Sequence, residues 1–212
     1  MAHNGGGPVT DDVKRFDRDY FDRWYRDPRH RVATPADVRR RALLAIGVAE
    51  FVLERPVRSV LDVGCGEGSW RAPLLRLRRQ LRYRGVDASE YVVRRYGRSR
   101  GILHGSVGQL GEVGLREKFD IVICADVLHY IGDRDVERGL AHISELLGGA
   151  AYLPTFTSAD EVDGDVRSVR QRSPRWYLSR FESAGLVPLG LDFYVARSTA
   201  ATLSALELPF AG

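Results

Sequence analysis

The string from Val60 to Gly68 constrains the fold more than any other part of this 212-residue chain. It reads Val-Leu-Asp-Val-Gly-Cys-Gly-Glu-Gly, an apolar stretch that predicts a buried strand and runs directly into a turn rich in glycine. Because glycine has no Cβ, Gly64, Gly66 and Gly68 permit sharp backbone angles and the close approach of a ligand. The string therefore predicts a strand, a ligand-binding turn and a following helix.

Beyond this turn, short apolar runs alternate with helical patterns. The run Ile121–Ile123 is continuous in apolar residues, as is typical of a parallel strand buried on both faces. The alternation predicts an α/β fold, a doubly wound, seven-stranded, mostly parallel sheet that ends in a C-terminal antiparallel hairpin. The predicted strands are 59–63, 81–86, 101–104, 119–125, 150–156, 186–197 and 201–208, the last two forming the hairpin.

Residues 11–55 precede this core and predict an N-terminal helical cap. Phe16, Tyr20 and Trp24 recur at spacings of four, which places them on one face of a helix over residues 11–26. Thr34 and Pro35 predict the start of a second helix that runs to about residue 53. Residues 1–10 predict a flexible tail without the basic start or apolar stretch of a signal peptide. We expect one domain over residues 1–212, with residues 56–212 as its ligand-binding core.

Two acidic side chains stand at the ends of the first two predicted strands. Asp62 is placed to orient the turn or to accept a hydrogen bond from a ligand ammonium, and Asp87 to accept both ribose hydroxyls of a nucleoside. The Asp-x-Gly-x-Gly-x-Gly spacing differs from the Gly-x-Gly-x-x-Gly loop that cradles a pyrophosphate. We also expect Glu67, inside the turn, to repel phosphate. These features predict a sulfonium nucleoside with an amino-acid tail.

The string Val60 to Gly68 resembles the first motif of class I S-adenosylmethionine-dependent methyltransferases, of the small-molecule type. Asp87 matches the acidic residue after their second strand, and Phe119 to Ile131 is similar to their fourth-strand motif. The resemblance covers residues 57–156. It implies S-adenosylmethionine as the cofactor and methyl transfer to oxygen or nitrogen of a small-molecule acceptor.

The same resemblance implies a set of cofactor contacts. Gly64 and Gly66 would contact the methionine part through their backbone, and Ser106 would lie at the adenine edge. Ser106 departs from the aspartate that many members carry, although a serine hydroxyl can still hydrogen-bond the adenine amino group. The whole predicted cofactor set is Tyr20, Asp62, Gly64, Cys65, Gly66, Asp87, Ala88, Ser106, Val107 and Ala125.

Two residues after the fourth strand are catalytic candidates. His129 has an ordinary pKa of about 6.5, which suits a general base for a hydroxyl or a protonated amine. Asp126 is the second candidate. The alternatives are that His129 shapes the pocket and that Asp126 stabilises its loop. The ring face of Tyr20 could attract the sulfonium, or Tyr20 could simply anchor its helix. Trp176 lies in a further segment that could reach the acceptor. No metal-ligand spacing is present.

Composition argues against nucleic-acid-binding, membrane and disulfide-rich classes of protein. The formal net charge is +4, but Lys14 and Lys118 are the only lysines, and the arginines are spread along the chain, so we do not expect a nucleic-acid partner. The densest cluster, Arg39 to Arg41, predicts a solvated helix face. No apolar run is long enough to span a membrane. Two cysteines are too few for a disulfide framework and favour a reducing, cytoplasmic location.

Three alternatives remain beside the small-molecule methyltransferase. An RNA or protein methyltransferase is compatible with the positive net charge. However, the Asn-Pro-Pro-Tyr-like tetrapeptide of nucleic-acid amine methyltransferases does not follow the fourth strand. A cofactor-binding protein without catalysis is also compatible. A nicotinamide dehydrogenase fits least, because the loop spacing differs. The oligomeric state stays open, with a homodimer as one arrangement.

Overall fold

The computed structural model describes residues 16–31, 33–161, 168–204 and 208. Within them lies one seven-stranded sheet of order β3-β2-β1-β4-β5-β7-β6. Its strands are β1 (Ser59–Val63), β2 (Arg82–Asp87), β3 (Ile102–His104), β4 (Phe119–Ile123), β5 (Leu147–Tyr152), β6 (Leu186–Gly190) and β7 (Phe193–Ala196). The pairs from β3 to β5 are parallel, and β7 is antiparallel to both of its neighbours. The predicted doubly wound fold is confirmed.

Helices cover both faces of the sheet. They are α1 (Arg18–Phe21), α2 (Pro35–Leu53), α3 (Arg71–Leu77), α4 (Glu90–Arg100), α5 (Asp133–Leu146), α6 (Pro174–Ser183) and α7 (Arg197–Ala200). The predicted start of α2 is confirmed, because Thr34 and Asp37 form a capping box in which each side chain accepts from the other's backbone N–H. Every residue of β1 and β4 is buried, which explains their continuous apolar runs.

The central strands β1 and β4 bring the predicted functional residues to one edge of the sheet. Val60 pairs with Ile121, and Asp62 pairs with Ile123. Both strands therefore end at the same level, and the loops that follow them lie side by side. In a doubly wound sheet this is the crevice where strand order reverses, which is the usual site of ligands.

The closing hairpin differs from the predicted one. It lies wholly within residues 186–196, and of the predicted strand 201–208 the described residues 201–204 are not a strand, while residues 205–207 lie outside the description. The turn consists of Leu191 and Asp192, both at positive φ (51° and 63°). Hairpin turns of this geometry usually carry Asn-Gly or Asp-Gly, and neither pair stands at this turn to indicate it.

The N-terminal segment also differs from its prediction. Asp17 caps α1 by accepting from the backbone N–H of Tyr20 at 3.1 Å, and the chain then continues as a π-helical turn over Asp22–Arg26. The extra residue of a π-helical turn breaks the predicted spacing of four. As a result Phe21, only 2% exposed, is the aromatic side chain that this segment buries. The predicted tail, residues 1–10, lies outside the described residues.

Candidate active site

The glycine turn after β1 is held tightly against β2. The backbone N–H groups of Gly64 and Cys65 both donate to the carbonyl of Val86, at 2.8 and 3.1 Å. Gly64 and Gly66 have positive φ values of 70° and 52°, which side chains with a Cβ rarely adopt. A Cβ on Gly66 would also lie 2.8 Å from the Tyr25 hydroxyl. The turn therefore needs glycine for its backbone and for its close neighbours.

Asp87 at the end of β2 ties this turn to the next loop. One carboxylate oxygen accepts from the backbone N–H of Gly66 at 2.7 Å, and the other accepts from Ser89 at 2.9 Å. Burial raises the pKa of Asp87, while the two backbone donors act in the opposite direction. Each oxygen keeps a further lone pair. The carboxylate thus has acceptor capacity for two ligand hydroxyls, as a ribose would require.

Asp62 at the end of β1 is a second buried carboxyl group, only 2% exposed. The Tyr83 hydroxyl donates to it at 2.7 Å. Burial raises the pKa of Asp62 to about 7; the hydrogen bond from Tyr83 lowers it and nearby Asp87 raises it further. No cationic side chain pairs with Asp62 among the described residues. Ionised Asp62 therefore favours a cationic ligand group, such as an ammonium, beside it.

A cavity of about 1290 Å³ opens over these groups. All twelve predicted site residues lie along it, which brings the whole cofactor set and both catalytic candidates together. The Ser106 hydroxyl donates to Gln109 Oε1 at 2.9 Å. Cys65 is buried, and burial raises the pKa of its thiol well above the usual range, so it packs in the turn as a neutral group.

The loop after β4 carries the two catalytic candidates. Asp126 has a positive φ of 59° and pairs with Arg41 of α2, Oδ2 to Nη1, at 2.9 Å. His129 is fully buried. The backbone N–H of Phe156 donates to its Nδ1 at 3.4 Å, and Thr155 Oγ1 lies 3.3 Å from the same nitrogen. Because the Phe156 N–H donates to Nδ1, this arrangement fits the tautomer with its proton on Nε2.

Sequence reasoning missed Arg172, which shapes this loop from the other side. It is 7% exposed and donates to the carbonyls of Leu128 and Ile131 at 3.0 and 2.5 Å. It also pairs with Asp133 at 2.7 Å. Its position just before α6 is visible in the sequence. That this arginine packs against the loop after β4 cannot be read from a single sequence. The expectation for Trp176 is wrong, because its ring packs on Arg172 and does not line the cavity.

The expectation for Glu67 is also corrected. Its side chain does not line the cavity but pairs with Arg26 of the π-helical turn, so its charge is balanced. The buried carboxylates of Asp62 and Asp87 are what disfavours a phosphate here. Two contacts hold the N-terminal segment over the glycine turn. One is the Arg26–Glu67 pair, and the other is the hydrogen bond of 2.5 Å that the Ser89 hydroxyl donates to the Phe16 carbonyl.

Comparison with known proteins agrees with this geometry. Residues 61–152 match the model of a methyltransferase domain family. A search of curated protein sequences gave no match. DesVI from Streptomyces venezuelae is similar in structure, with TM-score 0.59 and 15% identity, and the match covers 76% of this chain and 91% of that one.

Two further solved structures show the same fold. The S-adenosylmethionine-bound amino pentose methyltransferase CalS10 from Micromonospora echinaspora has TM-score 0.57 and 17% identity, over 74% of this chain and 89% of that one. The [4+2]-cyclase SpnF has TM-score 0.52 and 23% identity, over 73% and 59%. The chain therefore has the fold of S-adenosylmethionine-dependent methyltransferases of known structure. Its residues 61–152 are similar to a methyltransferase domain.

The described residues contain no group of three or more histidine, cysteine or acidic side chains that could hold a metal ion. They also contain no helix that is long and apolar enough to cross a bilayer.

Proposed function

We propose that this protein is an S-adenosylmethionine-dependent methyltransferase that acts on oxygen or nitrogen of a small-molecule acceptor, inside the cavity over the glycine turn. The observation that carries this proposal is the cavity itself, which joins the nucleoside-binding carboxylates of Asp62 and Asp87 to His129 in one enclosure. The bound cofactor would supply an electrophilic methyl group on a positively charged sulfur. CalS10, which has this fold and is described as an amino pentose methyltransferase, supports an acceptor of small size.

The chain's own residues would hold the cofactor at its two polar ends. Asp87 would accept the ribose hydroxyls and Asp62 would face the ammonium, while Gly64 and Gly66 would allow backbone contact with the methionine part. Ala88, Ser106 and Val107 line the same cavity and would border the adenine. In this assignment the cationic ammonium lies beside Asp62, which has no cationic partner among the described side chains. The neutral hydroxyls lie beside Asp87, whose oxygens keep further lone pairs.

His129 would accept the acceptor's proton at Nδ1, if the acceptor is a hydroxyl or a protonated amine. Its Nδ1 lies 3.3 Å from Thr155 Oγ1 and 3.4 Å from the backbone nitrogen of Phe156, and both His129 and Phe156 line the cavity. Asp126 is engaged by Arg41 instead, so we assign it a positioning role. A general base of this kind contributes roughly 10²–10⁴ in rate.

A panel of phenols, alcohols and amines tests the proposal, with demethylated cofactor and methylated product both measured by mass spectrometry. We expect product from at least one class, and a loss of roughly 10²-fold or more in kcat for His129→Gln with unchanged cofactor affinity. Half-buried His142, which lies outside the cavity, supplies the control His142→Gln. Methylation of RNA or protein alone would contradict the proposal.

A cofactor-binding protein without methyl transfer is the second candidate. It is favoured by one comparison, because SpnF shares the fold and is described as a [4+2]-cyclase. Tight binding of S-adenosylmethionine without formation of demethylated cofactor, across the whole panel, would support this candidate.

A further inference from the structure

The arginine cluster on α2 does not form a merely solvated helix face. Arg39, Arg40 and Arg41 all line the cavity, and Arg31 and Arg76 line it as well. These side chains come from two helices and the segment before α2. Arginine is therefore concentrated at the mouth of the site.

Most of this positive charge is not balanced by carboxylates. Arg41 pairs with Asp126 and Arg40 with Asp37. Arg31, Arg39 and Arg76 form no ion pair with any described carboxylate. A cleft lined by one sign of charge concentrates ligands of the opposite sign.

The cavity is consequently divided by charge. Its acidic groups, Asp62 and Asp87, are buried beside the glycine turn, whereas Arg31, Arg39 and Arg76 are exposed at the opening. The acidic end matches the ammonium and ribose of the cofactor. The only anionic group of the cofactor is its carboxylate. This carboxylate is on the same carbon atom as the ammonium and would therefore lie at the acidic end, so the arginines are left without a partner in the cofactor.

Aromatic side chains also form part of the cavity wall, namely Trp24, Tyr25, Trp70, Tyr130 and Phe156. Such a wall favours a flat, apolar body, because aromatic side chains bury large areas and stack on rings.

We propose that the acceptor is a small aromatic or apolar molecule that carries an anionic group, and that Arg39 and Arg76 bind this group at the cavity mouth. This inference rests on the proposed function, because it assigns the substrate class of the same site. Guanidinium groups suit carboxylate and phosphate alike, through paired hydrogen bonds. The shared chemistry is thus an oxyanion on a hydrophobic scaffold.

Two dyes that differ by a single sulfonate test the proposal. Protein saturated with S-adenosylhomocysteine is titrated with 1-anilinonaphthalene-8-sulfonate and with its neutral counterpart, N-phenyl-1-naphthylamine. We expect the anion to bind at least about tenfold more tightly. The double variant Arg39→Gln/Arg76→Gln should remove most of this preference and leave the neutral dye unchanged.

A matched control keeps net charge out of the comparison. Arg94 and Arg98 are exposed on α4 and do not line the cavity, so Arg94→Gln/Arg98→Gln removes the same charge and should retain the preference. Equal binding of the two dyes, no binding of either, or an equal loss in both double variants would overturn the proposal. Absence of S-adenosylhomocysteine binding would contradict the proposed function. The preference for the anionic dye is measured separately and tests the arginines alone.

Displacement of the anionic dye then distinguishes the sources of the oxyanion. 2-Naphthoate should compete best if the acceptor is a carboxylate, and 2-naphthyl phosphate if it is a phosphate ester; either result supports the proposal. 2-Naphthamide should compete least. Stronger displacement by a short single-stranded RNA than by both naphthalene anions would contradict a small-molecule anion.

Discussion

Arg41 Nη1 lies 2.9 Å from Asp126 Oδ2, and this ion pair joins α2 to the loop after β4 across the cavity mouth. The two residues are 85 positions apart in the chain. Both side chains are more than a third exposed, so the pair contributes at most about 1 kcal/mol to folding. Its main consequence is geometric, because it fixes α2 relative to the loop after β4, and both residues line the cavity.

Substitutions at Asp126 should separate its backbone role from any chemical role. Asp126→Asn removes the ion pair but tolerates positive φ, so we expect a loss below about 1 kcal/mol in the free energy of unfolding. Asp126→Ala should lose roughly 1 kcal/mol more, which Asp126→Gly should recover. Urea denaturation measures all three. A fall of 10²-fold or more in kcat for Asp126→Asn would make Asp126, rather than His129, the base.

Gly66 offers a matched comparison with Gly114. Both have positive φ, 52° and 81°, but a Cβ on Gly66 would meet the Tyr25 hydroxyl at 2.8 Å, whereas one on Gly114 would meet nothing within 4 Å. Alanine at either position should cost about 1 kcal/mol of stability through backbone strain. Only Gly66→Ala should also weaken S-adenosylhomocysteine binding, by about tenfold or more. Equal affinity in both variants would show that the turn does not contact the cofactor.

Asp62 should make cofactor binding depend on pH. Burial raises its pKa to about 7, above the ordinary acid value, so the ligand-free fold favours the neutral carboxyl group and loses stability as pH rises from about 4 to 7. A ligand ammonium favours the ionised form. We therefore expect affinity for S-adenosylhomocysteine to rise by about tenfold between pH 6 and 8, measured by calorimetry.

Two variants control this pH experiment. Asp62→Asn should bind weakly at both pH values, with no rise between them. Tyr83→Phe removes the hydrogen bond that lowers the pKa of Asp62, so the rise should move to higher pH. A rise that persists in Asp62→Asn would assign the titration to another group.

Arg172 should matter for stability because it donates to two backbone carbonyl groups of the loop after β4. Arg172→Lys cannot reach Leu128, Ile131 and Asp133 together, and we expect a loss of about 2–3 kcal/mol in the free energy of unfolding. Exposed Arg175 on α6 is the control, where Arg175→Lys should change stability by less than about 0.5 kcal/mol. Equal effects in thermal unfolding would refute the assignment.

The predictable part of this protein is the part whose signals are local. A buried strand that runs into glycines predicts where the site lies, because parallel strands end at the same edge of the sheet. Asp62 and Asp87 at successive strand ends then predict the type of cofactor. The contacts of Tyr25 with Gly66, of Arg41 with Asp126 and of Arg172 depend on how distant loops pack, which periodicity does not encode. The Leu191–Asp192 turn was missed because its residues are unusual for its backbone.

The most direct test of the account is calorimetric titration of the protein with S-adenosylhomocysteine and, separately, with NAD⁺. We predict one S-adenosylhomocysteine per chain and no NAD⁺ binding. Asp87→Ala should weaken S-adenosylhomocysteine by about 1–3 kcal/mol, because it leaves the ribose hydroxyls and the Gly66 N–H without their acceptor. Binding of NAD⁺ without S-adenosylhomocysteine, or unchanged affinity in Asp87→Ala, would contradict the account.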